Sequence, residues 1–163
     1  MTLASLTILL VREAKELEQT VNLCAARLDR RHEFAASGTE DILADSMAAC
    51  LHSFYTGLES LLETIAQEFD ELPQGTQWHK KLLLLMSSAA PGIRPAVLSE
   101  STCAMLDEFR AFRHLFRNLY VHSLRPERIF ILAASLEPTW RAVKSDLTEF
   151  QQFLEGMNGT GRH

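Results

Sequence analysis

The stretch TEDILADSMAACLHSFYTGLESLLETIAQEFDELPQG, residues 39–75, predicts a long helix with one buried face. It begins with Thr39, a residue type that caps helices, and two acids follow where the positive end of a helix favours them. Pro73 and Gly75 interrupt helices and mark its end. Between these limits the apolar residues recur at helical spacing: Leu43, Met47, Cys50, Leu51, Phe54, Leu58, Leu61, Leu62 and Ile65.

The same period extends to both sides of this stretch. A first helix runs from Leu3 and fades near the sequence FAASG, where Gly38 is suited to end it. A short third helix contains WHKKLLLLMSS, residues 78–88. The AAPGIRP loop follows, because its two prolines are incompatible with a helix interior.

Two further helices are predicted in the second half of the chain. Ser99 is expected to cap a fourth helix over residues 100 to about 122. A proline at the favoured first position starts a fifth helix over residues 126 to about 154, which Pro138 should kink or interrupt. No segment keeps the period of a strand, so we predict an all-α bundle of four or five helices.

Length and composition indicate one globular domain. The chain has 163 residues, 47% of them hydrophobic and 23% charged, which is sufficient for a substantial core. We assign residues 1–155 to a single helical domain and residues 156–163 to a flexible C-terminal tail. No apolar run approaches the roughly 18 residues that span a bilayer, so no membrane partner is expected.

Compartment and cofactor content follow from two further patterns. The early apolar run LASLTILLV has no basic residue before it, unlike a secretory signal. The three cysteines are widely spaced and form no Cys-x-x-Cys pair or Cys/His cluster. We therefore expect a cytoplasmic protein with reduced cysteines, no metal site and no cofactor.

A basic segment stands out in a chain of formal net charge −5: FRHLFRNLYVHSLRPERI, residues 112–129. Five arginines and one acid lie between positions 110 and 128. At 100° per residue the fourth helix separates into three stripes. The core stripe contains Met105, Phe109, Phe112, Phe116 and Leu119; the second contains Arg110, Arg113 and Arg117; the third contains His114, Asn118 and His122.

These residue types suit the chemistry of a phosphodiester. Guanidinium groups match phosphate, so Arg110, Arg113, His114 and Arg125 are predicted to bind RNA or another phosphate. Histidine moves protons near neutral pH. Such a set suffices for RNA cleavage without a metal: a base takes the 2′-hydroxyl proton, the 2′-oxygen attacks the neighbouring phosphate, and arginine stabilises the developing charge.

The sequence RNLYVH, residues 117–122, resembles the Arg-polar-x-x-x-His signature of the HEPN superfamily and, within it, the HepT-like ribonuclease toxins. The resemblance covers roughly residues 50–125, through FYTGLESLLETIAQEFD, PQGTQWHKKLLLLM and IRPAVLSESTCAMLDEFRAFRHLFRNLY. It implies an HEPN-type bundle that forms a homodimer, with the Arg/His motifs of two subunits in one cleft. It also implies endoribonuclease activity on RNA, restrained by a nucleotidyltransferase-type antitoxin.

By this resemblance Arg117 binds and polarises the phosphate, Asn118 orients, and His122 is the acid–base residue. The alternative is a catalytically inactive HEPN module that binds RNA or a nucleotidyltransferase-type partner. The register is also open, because Arg113 and four intervening residues lead to Asn118. Leu124 stands where HepT has the tyrosine that the antitoxin modifies, so regulation by that route is not expected.

Other interpretations remain open for the polar residues. The basic helix face could be an ordinary solvated face, or a homodimer contact with acids such as Glu137 or Asp146. Arg94 could complete the phosphate site or bond to carbonyls at a helix end. His79 could be a ligand at a second site, but we expect a helix-start histidine with a local hydrogen bond. We expect His32 and His52 to be structural.

Overall fold

A computed structural model gives the structure of the chain, and it describes residues 1–118 and 124–160. These residues contain six helices: α1 Leu3–Asp29, α2 Arg31–Ala36, α3 Glu40–Phe69, α4 Trp78–Met86, α5 Glu100–Asn118 and α6 Pro126–Thr160. Within the described ranges there is no β-strand. The predicted all-α bundle is confirmed, with one more helix than expected. No helix in this part of the chain is long and apolar enough to cross a bilayer.

Helix α3 is the centre of the bundle, because it contacts each of the other helices of the described chain. Every apolar residue predicted for its buried face is at most 6% exposed. Gly57 lies where α1 crosses it, and a Cβ atom at this position would be 3.1 Å from the side chain of Leu17. Helix α1 packs mainly against α3 and α6.

The first predicted helix is two helices in the structure, so that prediction is wrong. Arg30, with φ −91° and ψ 7°, separates α1 from α2. The break lets Arg31 pair with Glu40 and Glu127 and lie 3.9 Å from the centroid of the Phe130 ring. No glycine or proline marks this position, so contacts made elsewhere in the fold outweigh the local helical pattern.

The predicted stop at Gly38 is confirmed. Gly38 has φ 70°, and its N–H donates to the Ala35 carbonyl while the Thr39 N–H donates to the Phe34 carbonyl. This pair of hydrogen bonds is a Schellman motif, which needs the left-handed conformation of glycine. Thr39 occupies the N-cap position of α3, but its hydroxyl bonds to Ser37 rather than to a helix amide.

Helix α5 begins as predicted at Ser99. The Ser99 hydroxyl accepts a hydrogen bond from the Thr102 N–H at 3.2 Å. The Ser99 N–H donates in turn to the Asp146 carboxylate of α6 at 2.8 Å. Asp146 is therefore used inside this chain, which disfavours the idea that it pairs with the arginines of another subunit.

Helix α6 spans residues 126–160 and passes the predicted end near Leu154. Pro138 lies inside it without interrupting it, so the interruption that the proline predicts is not found. The neighbouring side chains Leu136 and Trp140 are buried in the core. This packing on both sides of the proline compensates for the backbone hydrogen bond that proline cannot donate.

The loop between α4 and α5 is held by Arg94, which is 4% exposed. Its guanidinium makes two hydrogen bonds to the Asp70 carboxylate, at 2.7 and 3.0 Å. The same guanidinium donates to the carbonyls of Leu85, Ser88 and Pro95. The second of the two interpretations left open for Arg94 is therefore the one observed.

We predict that Arg94→Ala lowers the free energy of unfolding by about 3–5 kcal/mol, because it leaves the carboxylate of Asp70 buried and unpaired. Urea denaturation measures this difference. The matched control is Arg12→Ala, since the Arg12 side chain is 68% exposed in its ion pair with Glu13. The control should change stability by less than about 1 kcal/mol. Equal effects of the two changes would contradict the importance of the buried network.

Candidate functional site

Helix α5 packs its aromatic residues inward, as the core stripe predicts. Phe109 is 1% exposed and lies edge to face with Phe54 of α3. Phe112 and Phe116 are half-buried and pack against the same core. Leu119, the last residue of the predicted stripe, lies outside the described residues. These rings support the bundle and are not free to stack on bases.

The opposite face of α5 is polar and open. His114, Arg117 and Asn118 are all exposed. The Asn118 side-chain amide donates to the His114 carbonyl one turn earlier, at 2.7 Å. No carboxylate of the described residues pairs with Arg117. Among the residues that the structure describes, the guanidinium of Arg117 thus has no carboxylate that would compete with a ligand.

The arginine stripe is less free than the sequence indicates. Arg110 donates to the Asp107 carboxylate at 2.6 Å, and this hydrogen bond lowers the pKa of Asp107 below its ordinary value. The Arg113 side chain is only 13% exposed and lies 3.3 Å from the carboxylate of Glu59. Only the third arginine of the stripe, Arg117, faces solvent without a carboxylate among the described residues.

Three helices meet at a polar cluster that consists of Glu59, His79 and Arg113. The Glu59 carboxylate from α3 is 4% exposed. One of its oxygens lies 2.7 Å from Nδ1 of His79 on α4, and the other lies 3.3 Å from Nη2 of Arg113 on α5. The Nε2 atom of His79 is 3.4 Å from Nη1 of Arg113. The expectation of a local hydrogen bond for His79 is therefore wrong.

The polar cluster opens into a cleft between α4 and α5, the α4–α5 cleft, with a volume of about 340 Å³. Cationic and imidazole side chains supply most of its wall, which makes it suited to an anion. Its lining residues are Thr76, Gln77, His79, Lys80, Arg110, Arg113 and His114. Three of the four residues predicted to bind phosphate, Arg110, Arg113 and His114, are thus brought together.

A second histidine lies beside the arginines on the core side of α5. The His52 ring of α3 stacks on Phe116 with the centroids 4.7 Å apart. None of the described residues forms a hydrogen bond with its buried Nδ1 atom. Burial lowers the pKa of His52, and the charges of Arg113 and Arg117 lower it further. The structure thus places His52, expected to be only structural, within the field of Arg117.

Four predicted site residues are not among those that line the cleft: Arg117 and Asn118, which are exposed on α5, together with His122 and Arg125. His122 lies outside the described residues. Arg125 is exposed at the start of α6, where its carbonyl accepts the N–H groups of Arg128 and Ile129. The cleft is instead completed by Lys80 and by the polar cluster.

Sequence reasoning missed Glu59, although the chain carried a signal for it. The position lies one residue after Leu58 and two before Leu61, both of which are fully within the buried face of α3. An acid on the buried arc of a helix requires a partner, because an unpaired carboxylate in the core is costly. The partners come from residues 20 and more positions away, and no pattern in the sequence identifies them.

We predict that Arg117→Gln raises the pKa of His52 toward its ordinary range, because it removes one of the two cations that oppose protonation. The titration of the His52 imidazole by NMR measures this change. Arg141→Gln is the matched control, since Arg141 is exposed on α6. An unchanged titration in Arg117→Gln would mean that Arg117 does not lie close to His52.

The comparison with known proteins identifies one family. Residues 46–154 match the family described as HepT-like protein. No curated protein matches the chain, and no solved structure matches it. The match includes α4, α5, the polar cluster, and the second and third stripes of the basic segment. It covers more than half of the 163 residues. The resemblance seen in the sequence is thus confirmed: the chain belongs to the HepT-like family.

Proposed function

We propose that this protein is a metal-independent endoribonuclease that acts as a homodimer in the cytoplasm. The observation that carries the proposal is the α4–α5 cleft, whose α5 side chains, Arg110, Arg113 and His114, are followed on the same helix by the exposed Arg117. A wall of this kind neutralises phosphate charge and leaves imidazole groups for proton transfer. RNA is the substrate because its 2′-hydroxyl supplies the nucleophile and the protein need not bind one.

The absence of a carboxylate partner for Arg117 among the described residues supports the register in which Arg117 and His122 form the catalytic pair. In the other register the arginine would be Arg113, which is buried and paired with Glu59. A guanidinium committed to a buried carboxylate cannot swing to a scissile phosphate without leaving that carboxylate unpaired. Arg117 has no such commitment among the described residues.

In the proposed mechanism Arg117 binds the scissile phosphate and stabilises the negative charge of the transition state. His122 acts in acid–base catalysis, and Asn118 orients the motif. Arg110 uses its Nε atom on Asp107, so its two terminal nitrogens remain for the RNA backbone. Arg113, His114 and Arg125 add further positive or protonatable groups along the strand.

Membership of the HepT-like family supports a toxin whose partner is a nucleotidyltransferase-type antitoxin. Leu124 packs against the core as a half-buried apolar side chain. It offers no hydroxyl to a nucleotidyltransferase. We therefore propose restraint by binding of the partner rather than by nucleotide transfer to this position.

RNA cleavage in the presence of EDTA tests the nuclease directly. The wild-type protein should cut a single-stranded oligoribonucleotide and leave 2′,3′-cyclic phosphate and 5′-hydroxyl ends, but not cut DNA of the same sequence. His122→Ala should lower kcat by about 10²–10⁴-fold, as expected for loss of an acid–base group. Arg117→Ala should lower it by about 10²–10³-fold, as for loss of charge stabilisation.

His32→Ala and Arg141→Ala are the controls for these two changes, since both side chains are exposed on other helices. Each control should retain wild-type activity. Undiminished cleavage by His122→Ala would remove that residue from the mechanism. Wild-type protein that leaves RNA intact would favour the inactive HEPN module.

The dimer is tested by sedimentation equilibrium of the purified protein. At micromolar concentration its mass should be twice that of the 18.4 kDa chain. A shared cleft requires this association, because each subunit would contribute one Arg/His motif. Monomeric protein that still cleaves RNA would contradict the shared cleft but not the nuclease.

A further inference from the structure

The position of His79 in the polar cluster sets the state of both ring nitrogens. A carboxylate only accepts hydrogen bonds, so the 2.7 Å contact with Glu59 assigns the ring proton of His79 to Nδ1. The lone pair of neutral His79 is then on Nε2. Because Glu59 is 4% exposed and held by α3, the imidazole cannot turn freely. Carboxylate–histidine pairs of this kind hold a base in one tautomer and one orientation.

The second ring nitrogen of His79, Nε2, lies beside the anion-binding wall. The side chain is 25% exposed and lines the α4–α5 cleft. Its Nε2 atom accepts a long hydrogen bond, 3.4 Å, from Nη1 of Arg113, which a substrate hydroxyl would replace. Arg110 and His114 line the same cleft. We expect an RNA strand that runs along this wall toward Arg117 to bring a ribose 2′-hydroxyl to Nε2, the atom that would act in general-base catalysis.

A purely structural role does not account for the whole arrangement. Glu59 already has a cationic partner in Arg113, so the imidazole is not needed to neutralise its charge. A histidine that only linked α3 to α4 could lie anywhere along their contact, whereas His79 lines the same cleft as Lys80 and Arg110. The cleft and the oriented imidazole occur together, which is what proton transfer on a bound phosphodiester needs.

We propose that His79 is a second catalytic residue of the ribonuclease and is its general base; this inference rests on the function proposed above. Nε2 of His79 takes the proton of the RNA 2′-hydroxyl. The 2′-oxygen forms a bond to phosphorus, and the bond between phosphorus and the 5′-oxygen breaks. The 5′-oxygen takes a proton from His122, and His79 returns its proton to solvent. Glu59 is a positioning residue for His79.

The experiment compares the wild-type protein with His79→Ala, His79→Gln and Glu59→Gln on an oligoribonucleotide in EDTA. His79→Ala should lower kcat by about 10²-fold or more while KM changes by less than about threefold, because the lost contact acts in the transition state. The fall of kcat/KM on the acid side of the pH profile should disappear with the base. Added imidazole should restore part of the activity of His79→Ala, which it would not do for a residue that only supports the fold.

Several charged or titratable groups surround His79 and influence the pH profile of kcat/KM. They are Glu59 from α3, Arg110, Arg113 and His114 from α5, and the adjacent Lys80. Glu59→Gln keeps the shape of the side chain but loses the charge. It should lower kcat with little change in KM, as loss of the orienting carboxylate does in other carboxylate–histidine pairs. His32→Gln is the matched control, because His32 is exposed and its Nδ1 atom lies 3.2 Å from the backbone carbonyl of Asp29, away from the cleft residues.

The outcomes separate this inference from the proposed function. Wild-type cleavage with an equally active His79→Gln variant would overturn the role of His79 alone. Wild-type protein that cleaves no RNA would overturn both proposals. Should the variants not fold, the wild-type protein decides the matter by NMR: an uncleavable DNA oligonucleotide should shift the Nε2 resonance of His79 and leave that of His32 in place. No shift at His79 would overturn its contact with the substrate.

Discussion

The buried carboxylate of Glu59 is the constraint on which the site depends. A charged oxygen that is removed from water must be paired, or the fold loses several kcal/mol. Glu59 meets this requirement with one donor from α4 and one from α5, at 2.7 and 3.3 Å. Both helices must therefore lie where His79 and Arg113 reach the same carboxylate. The α4–α5 cleft is the space that this arrangement leaves between them.

This constraint also sorts the arginines of α5 by their availability. Arg113, nearest the core, is taken by Glu59, and Arg110 is shared with Asp107 on its own helix. Arg117, one turn further along, has no carboxylate among the described residues and acts on His52 through its charge. Because two of these arginines are paired with carboxylates, less positive charge is available to a ligand than the count of arginines indicates. What charge remains is concentrated where the helix faces solvent.

Much of the bundle could be predicted because its signals are local. The apolar period of α3, the cap at Ser99 and the glycine at position 38 depend on neighbours within a turn or two, and the structure confirms them. The break at Arg30 was not predictable in this way, since the partners of Arg31 lie on other helices. Local patterns carry no information about such partners.

The site divides along the same line. A helical wheel placed Arg110, Arg113 and His114 on neighbouring stripes of one helix, and the structure brings these three together in the cleft. The helical wheel could not show that Arg113 forms an ion pair with Glu59 or that α4 supplies His79. Those facts depend on how three helices pack. The motif residue His122 lies outside the described residues, so its place in the site remains a proposal.

The short helix α4 shows how the fold makes a precise site from an element that would be unstable alone. Nine residues are too few for an independent helix in water. Near its first turn His79 is bound to Glu59 in the middle of α3. At its other end the Leu85 carbonyl is bound to Arg94, which is paired with Asp70 directly after α3. Glu59 thus holds the first turn of α4 directly, and Asp70 holds its other end through Arg94.

Such double attachment has a consequence for the chemistry. A proton-transfer group must be held within a fraction of an ångström of its productive position, and rigid neighbours are the means of doing so. If only its apolar face were buried, α4 could shift along its axis or rotate about it, because hydrophobic contacts are not directional. Ion pairs with directional hydrogen bonds at both ends resist that motion, since any slide would leave a buried carboxylate without its partner. The placement of the α4 side of the cleft is therefore a property of α3, the helix whose sequence pattern is the clearest in the chain.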